Sequence, residues 1–493
     1  MLLSDILTRL KRGKGSTEFF CKCYGISPRN IEISEVTSYS KDCAKDSVFV
    51  CIKGEKYDGN EFLGEALKCG ARVFVSEKSD LKIRCGILII SKNARKTMAE
   101  ISKIVYEIPD GALVKVGITG TKGKSTVCEL ISVSLRKLGI KTLSIGTLGA
   151  YIDEVVETKN TTPESNVIFS LMKKAYTSGA RVAVIELSSQ ALSSFRAWGM
   201  DFDIAVFTSF GKDHIGEGEH KSFCDYVLAK RSLFTSYGVP SCVVNYDDAF
   251  SPYFSSGVRE IIKCGFQRGA DYKIARLREG FFGMRFSLSG IENCYSLTGS
   301  FNAVNIALAA ATVQKITGFE LEKILDTMKN IRVKGRFECY AIRSRFVIID
   351  YAHNEKSFKE LLGAVKRLTK SKLISVFGSV GERSLDRRRE LAKAASSLSD
   401  FSVITADNPG LESAYEIAEE IYSYFPEKSR AKICEERGDA IREAFLSSNR
   451  GDVILLLGKG HEEFMLEGGH RIKFSERELL FKIKNDREFH IPN

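Results

Sequence analysis

Residues 117–126 read GITGTKGKST. The stretch ends as a phosphate-binding loop does, but the G-x-x-x-x-G-K-[ST] spacing puts its first glycine where Ile118 stands. Context decides the reading. The loop follows ALVKVGIT (112–119), the near-continuous apolar run of a buried strand, and precedes Val127, Leu130, Ile131, Leu135 and Leu138, which recur at helical spacing up to Gly139. Strand, glycine loop, helix is the arrangement in which backbone N–H groups and a helix N-terminus meet phosphate oxygens. Gly120 and Gly123 allow that close approach, Lys124 supplies a cation for the β and γ phosphates, and the Ser125 hydroxyl suits magnesium.

Working outward, RVAVIEL (181–187) and FDIAVFTS (202–209) have the composition of strands covered on both faces of a parallel sheet. Four more such runs follow, RFVIID (345–350), KLISVFGS (372–379), FSVITAD (401–407) and DVILLLG (452–458), separated by helical stretches. Before the loop, SVFVCIKG (47–54), ARVFVSE (71–77) and the helical EFLGEALKCG (61–70) form a smaller α/β pattern. At 493 residues the chain is too long for one core. The expectation is an α/β protein of three domains, 1–108, 109–333 and 334–493, the second a nucleotide-binding domain with a mainly parallel sheet and the third Rossmann-like.

Lys and Arg number 73 against 62 Asp and Glu, a net charge of +11, but the two signs are interleaved. That is a solvated surface rather than a nucleic-acid face, and it suits small polyanionic substrates. The 13 cysteines include no C-x-x-C pair, so they are expected to be reduced and mostly buried, without a disulfide framework or zinc site. In MLLSDILTRLKRGKG the charges follow a short broken apolar stretch, and no segment reaches the ~18 apolar residues of a membrane span. A cytoplasmic protein without membrane insertion is expected. No internal repeat or low-complexity tract is present.

Ligands of open parallel sheets bind at the carboxyl ends of the strands. There, 181–187 ends in Glu186 and leads to Ser188, Ser189 and Gln190, while 202–209 leads to Lys212, Asp213 and His214. Glu186 and His214 have the chemistry to hold a divalent ion beside the loop; a structural role is the alternative for each. In the third domain Asp350-Tyr-Ala-His353, Gly378-Ser-Val-Gly-Glu-Arg383, Asp407-Asn-Pro-Gly410 and Gly458-Lys-Gly-His-Glu462 all close strands. Three of the six histidines, His214, His353 and His461, fall at such ends.

Taken with NTTPES (160–165), IELSSQAL (185–192), DHIGEGEH (213–220), LAKRSLF (228–234), GSFNAVN (299–305), GRFE (335–338), DYAHNEKS (350–357), DNPG (407–410) and GKGHE (458–462), the loop resembles that of the Mur ligase family of peptidoglycan synthesis, nearly end to end. DYAH, DNPG and GKGHE resemble the branch that adds a diamino acid to UDP-MurNAc-L-Ala-D-Glu. The resemblance implies an N-terminal UDP-binding domain, a central ATPase domain and a C-terminal domain that reads the amino acid. It implies ATP and magnesium as cofactors, a free diamino acid and the UDP-linked dipeptide as substrates, and a monomer. The D-Glu carboxylate would attack the γ-phosphate to give an acyl phosphate, which the incoming amine displaces; two magnesium ions would screen the anions.

Position by position, Gly120, Thr121, Lys122, Gly123, Lys124, Ser125, Thr126, Asn302, Arg336, Asp350 and His353 would contact the nucleotide. Ser125 would serve one magnesium, and Glu186 and His214 the other. Lys230 matches the family's carbamylated lysine, and it joins Lys124 and His214 as catalytic and the metal ligands as a fourth; unmodified, it would be a surface helix residue. Ser40 matches a serine that would lie near the uridine, in a motif degraded here to Tyr39 and Lys41 on either side. Thr161, Thr162, Ser188 and Arg196 would hold the muramoyl peptide. Arg388 would pair with the amino acid's carboxylate and Glu462 would receive its amino group, with Asp407, Asn408, Gly410 and Gly458 in the same pocket.

The departures from the family are Lys122 and Ser125 in the loop, Lys334 where proline precedes Gly-Arg, Gln190, Val380 and Glu382. Ligases that select meso-diaminopimelate end the Asp-Asn-Pro motif in arginine, whose fork suits the distal carboxylate. Gly410 removes it and favours L-lysine or L-ornithine, unless Arg387, Arg388 or Arg389 supplies the charge. The competing readings are a sister amide ligase, such as the folylpolyglutamate type, and a non-catalytic pseudo-ligase.

Overall fold

The run ahead of the glycine loop forms the strand Val114–Thr119, buried from Val116 onward. Its neighbours in register are Val182–Glu186 on one side and Ile204–Phe207 on the other, both parallel to it. The structure is a computed structural model and describes residues 1–12, 17–54, 57–158, 160–211, 220–381 and 385–486. Among these, the strands assemble into sheets of five, eleven and six strands and one two-stranded hairpin.

The eleven-stranded sheet is parallel through its centre, with Thr142–Gly146 and Ser241–Asn245 flanking the three strands just named. Helices Lys124–Lys137 and Ser300–Thr317 cover one face, where Val127, Leu130, Ile131 and Leu135 meet Ala303 to Val313. Helices Ser165–Thr177 and Phe223–Thr235 cover the other. Both faces are dry, which is why these strands read as unbroken apolar runs. The sheet continues beyond Glu260–Gly265 into Tyr272–Gly280, Gly283–Leu288 and Ile291–Tyr295, the last two antiparallel. Sequence reading did not find this extension, because one face is wet and the apolar residues only alternate.

The six-stranded sheet runs Glu338–Ile342, Arg345–Asp350, Val453–Leu457, Leu373–Phe377, Phe401–Ile404, Ala431–Ile433, with only the first strand antiparallel. All four apolar runs expected there are strands, so Asp350, Gly378, Asp407 and Gly458 emerge at one edge. The five-stranded sheet holds Ser47–Val50 and Val73–Ser76 between Glu35–Thr37 and Gly86–Ser91, with Phe19–Tyr24 antiparallel at the edge. The stretch that looked broken in the N-terminus is the amphipathic helix Leu3–Arg12, whose Leu3, Ile6 and Leu10 are buried. All thirteen cysteines are free, as expected, but only Cys43, Cys51, Cys128, Cys242 and Cys264 are buried. No described helix is long and apolar enough to cross a membrane.

Candidate active site

The strand ends of the eleven- and six-stranded sheets face each other across a cleft of about 860 Å³. One wall carries Thr121 to Thr126, Thr147, Thr161, Thr162, Ser188, Arg196 and Asn302; the other carries Arg336, Asp350, His353, Arg387, Asp407, Asn408, Gly458 and Glu462. Most of the residues singled out from sequence thus line a single space.

In the loop, Gly123 caps the helix Lys124–Lys137 with φ 86°, a left-handed backbone that favours glycine. A Cβ there would lie 2.5 Å from Asn305 Oδ1. Asn305 donates to Asn302 Oδ1 at 3.0 Å and Asn302 donates to the Thr298 carbonyl at 2.7 Å, so the GSFNAVN segment buttresses the loop from behind. The backbone of Lys122 is fixed by Ser209, whose hydroxyl accepts from its N–H at 3.1 Å and donates to its carbonyl at 3.2 Å. Lys124 Nζ turns back onto the carbonyls of Gly120 at 2.9 Å and Thr121 at 3.2 Å. Lys230 Nζ donates to the same Gly120 carbonyl at 2.8 Å. The alternative expected for Lys230, a surface residue, is corrected: its side chain is 1% exposed, packed between the loop and the ring of Tyr226 on its own helix.

Glu186 sits 2% exposed beneath the loop. Its carboxylate accepts from Ser125 Oγ at 3.0 Å, from Thr147 N at 3.0 Å and from Thr147 Oγ1 at 3.2 Å. Burial raises its pKa, against the pull of Lys124, the Thr147 and Ser125 hydrogen bonds and Arg336. Ser125 and Glu186, expected to serve different ions, converge on one place because the strand ending in Glu186 lies parallel to and in register with the strand that leads into the loop and the helix of Ser125. The oxygens of Ser125, Glu186 and Thr147 form a hard donor set of the kind magnesium takes. His214 lies outside the described residues, and among the described residues no three His, Cys, Asp or Glu side chains form a metal cluster.

Next to this carboxylate, Thr162 Oγ1 donates to the Glu186 carbonyl at 2.7 Å and accepts from Ser188 N at 3.1 Å. Thr161 Oγ1 is 3.1 Å from Thr147 Oγ1. Arg196 donates to the Thr162 carbonyl at 2.9 Å and pairs with Glu164 at 3.1 Å, which also binds Arg95 at 2.7 Å. Ser40 stands apart: it is buried in the 3-10 turn Ser40–Asp42 of the N-terminal region, donates to Glu65, and does not line the cleft.

On the facing wall, Arg336 reaches across to Ser125 Oγ at 3.4 Å and lies 4.9 Å over the ring of Tyr351. Asp350 accepts from Phe337 N at 2.8 Å and Ala352 N at 2.7 Å; burial raises its pKa, opposed first by Arg336 and also by Lys122 of the loop. His353 Nδ1 is 2.8 Å from the Tyr351 carbonyl.

At the far end, Asp407, Asn408, Gly458 and Glu462 come together as expected. Glu462 Oε2 accepts from Asn408 Nδ2 and from Lys459 Nζ, both at 2.8 Å. A Cβ at Gly458 would meet Asp407 Oδ2 at 2.3 Å. Burial raises the pKa of Asp407, with Lys459 and Arg437 opposing. Arg388 is a correction. Its side chain is 5% exposed and held by Glu412 and Glu420, each at 2.6 Å, and it does not line the cleft. Arg387 lines the cleft instead, and among the described residues it makes no ion pair or hydrogen bond. Gly410 is also displaced: its N–H binds the Leu466 carbonyl at 3.0 Å and it is not part of the cleft wall.

Two residues that sequence reading missed support this end from within. Lys459 is fully buried, and so is Arg437, which pairs with Glu476 at 2.8 Å and donates to the carbonyls of Ala406 at 3.1 Å and Leu457 at 2.8 Å. Nothing in the local pattern marks either lysine or arginine as internal.

Comparison with known proteins agrees with the fold. Residues 32–108 match the family described as "Mur ligase family, catalytic domain", 118–313 the "Mur ligase middle domain" and 335–460 the "Mur ligase, glutamate ligase domain". The chain is similar to the UDP-N-acetylmuramoyl-L-alanyl-D-glutamate–2,6-diaminopimelate ligase of Listeria monocytogenes, 34% identical over 91% of this chain and 93% of that protein. It is similar in the same degree to the Aquifex aeolicus enzyme of that name, 34% identical over 92% of this chain and 93% of the other. A solved structure of a ligase with that name superposes with a TM-score of 0.65 at 24% identity, covering 93% of this chain and 96% of that one. The chain therefore belongs to the Mur ligase family and is an ATP-dependent ligase.

Proposed function

We propose that this ligase joins a diamino acid to the D-Glu of UDP-MurNAc-L-Ala-D-Glu through an acyl phosphate. The observation that carries the reading is the single cleft, which has Lys124 and Ser125 on one wall, with Glu186 bonded to Ser125 behind them, and Asp407, Asn408 and Glu462 on the other. A carboxylate is a poor acyl donor, and transfer of the γ-phosphate converts one of its oxygens into a leaving group. ADP leaves, the amine attacks the acyl carbon, and phosphate departs from the tetrahedral intermediate.

Residues of this chain account for the steps. Lys124 and the loop N–H groups hold the phosphates. Ser125 and Glu186 would hold magnesium, which screens the anions as they approach. Thr161 and Ser188 offer hydroxyls to the peptide beside that place, Thr162 holds that wall through its bonds to the Glu186 carbonyl and Ser188 N, and Arg336 and Asp350 close the nucleotide from the third domain. Lys230, buried against Gly120, would take the carbamylated role. Arg387, rather than Arg388, is the cation for the α-carboxylate of the amino acid, and Glu462 receives the ammonium.

L-Lysine or L-ornithine is the favoured amino acid. With Arg388 committed to Glu412 and Glu420, Arg387 is the arginine left beside Asp407 and Glu462 among the described residues. One such cation serves one carboxylate. The names of the relatives support meso-diaminopimelate as the second reading. Purified protein with ATP, magnesium and the UDP-linked dipeptide, offered lysine, ornithine and meso-diaminopimelate separately, is expected to release phosphate with the first two. Release with diaminopimelate alone would reverse the choice, and no release with any would overturn the reading.

A further inference from the structure

Lys459 is left without a task by this account. It is 0% exposed, and its Nζ lies 2.8 Å from Asn408 Oδ1 and 2.8 Å from Glu462 Oε2. Asn408 Nδ2 closes the triangle on the same Glu462 oxygen at 2.8 Å. The backbone of Asn408 is left-handed, with φ 50°, and its Oδ1 also accepts from Leu466 N at 3.0 Å. Among the described residues no donor reaches the other carboxylate oxygen, Glu462 Oε1. Glu462 and Asn408 line the cleft and Lys459 does not.

A buried ammonium persists only where acceptors surround it, and those acceptors are held as firmly as it is. Arg437 fixes the same frame from behind, since Ala406 and Leu457, whose carbonyls it binds, immediately precede Asp407 and Gly458. The DNPG and GKGHE segments are thus tied together by two internal cations rather than by the substrate.

We propose that Lys459 is a positioning residue of the amino-acid subsite: it locks Asn408 and one oxygen of Glu462 together, so that Glu462 Oε1 is held for the substrate ammonium. This rests on the functional reading above. The site then recognises a primary ammonium before any amino acid arrives, and the loop end of the cleft plays no part in it.

The test is steady-state phosphate release with ATP, magnesium and the UDP-linked dipeptide, using whichever of lysine, ornithine and meso-diaminopimelate the wild-type protein accepts best. Lys459→Met leaves Glu462 Oε2 with Asn408 Nδ2 as its one donor and Asn408 Oδ1 with Leu466 N as its one donor, so both side chains are held less firmly. It is expected to raise KM for the amino acid about 10- to 100-fold, while KM for ATP stays within about twofold. Should that variant not fold, Lys459→Gln, which keeps a donor for one acceptor, carries the same comparison with a smaller rise. An amino-acid KM unchanged, or KM values for ATP and amino acid rising together, would overturn the proposal. A wild-type protein inactive with every diamino acid would overturn the functional reading and this inference with it, a result distinct from an active enzyme indifferent to Lys459.

Discussion

The two ends of the cleft manage their cations in opposite ways. At the loop, Lys124 and Lys230 both rest on the neutral carbonyl of Gly120. At the amino-acid end the buried cations are matched by carboxylates: Lys459 by Glu462, Arg437 by Glu476, and Arg388 by Glu412 and Glu420. A carbonyl is a weaker partner for an ammonium than a phosphate oxygen, so the loop lysines can change partners when an anion arrives. Buried ion pairs cannot be exchanged so easily, because a charge left alone in the interior costs several kcal/mol. The loop is built to receive charge, and the frame behind the amino-acid pocket to keep its shape.

The strongest way to break that contrast is at Arg437. Arg437→Met strands Glu476 inside the protein and is expected to destabilise it by about 3–5 kcal/mol, measured by urea unfolding. Replacing both partners, Arg437→Met with Glu476→Leu, removes the orphan and should recover much of the loss. If the double variant is no more stable than the single, the guanidinium's bonds to Ala406 and Leu457 matter more than its charge.

The loop end should respond in activity rather than stability. Lys230→Ala is expected to lower turnover by about 10²- to 10³-fold, with partial recovery on addition of a short carboxylic acid. Recovery places a carboxylate-like group at Lys230; loss without recovery would remove the carbamate and leave the lysine only as a strut under Gly120.

His461 stands between the two regions, its ring 4.9 Å from that of Tyr351. Burial lowers its pKa to about 4 from the ordinary 6.5, helped by Arg336, Arg477, Lys334 and Lys459, so both ends of the cleft oppose its charging. The folded protein holds the ring neutral and the unfolded chain protonates it first. Its contribution is therefore fully present above pH 6.5 and is lost as pH falls towards 4, up to about 3 kcal/mol. His461→Gln should flatten the wild-type loss of stability across that window. An unchanged slope would mean the histidine is hydrated in solution.

The same contrast explains what the sequence disclosed. The loop end is written in consecutive residues, Gly120 to Thr126, after a strand whose burial on both faces leaves an apolar run. Most of its chemistry was legible there, with Glu186 found at the end of the next strand. The amino-acid end is written in residues from three separate segments, and its charges are internal. DNPG and GKGHE announced themselves, but Lys459 and Arg437 looked like any surface cation. Arg388 and Arg387 are adjacent on the helix Leu385–Leu398, about 100° apart, and only packing chooses between them. A signal was present: Arg388 shares the stripe of Leu391, Ala392 and Ala395, all buried. The pattern of the helix placed Arg388 inward, where the motif comparison had placed it in the pocket.

The smallest expected effect tests the amino-acid choice at Gly410. Its backbone is left-handed, with φ 68°, and its N–H is engaged by Leu466. Gly410→Arg puts a Cβ into a conformation that L-residues disfavour, at about 1–2 kcal/mol, which urea unfolding would register. The arginine fork that would suit a distal carboxylate therefore cannot be restored by the side chain alone; the Asn408–Gly410 turn must relax first. The variant is expected to be less stable than the wild type while the ratio of kcat/KM for lysine to that for meso-diaminopimelate stays within about threefold. A switch towards diaminopimelate with little loss of stability would show that this end of the cleft adapts as readily as the loop does, and the contrast between the two ends would fall.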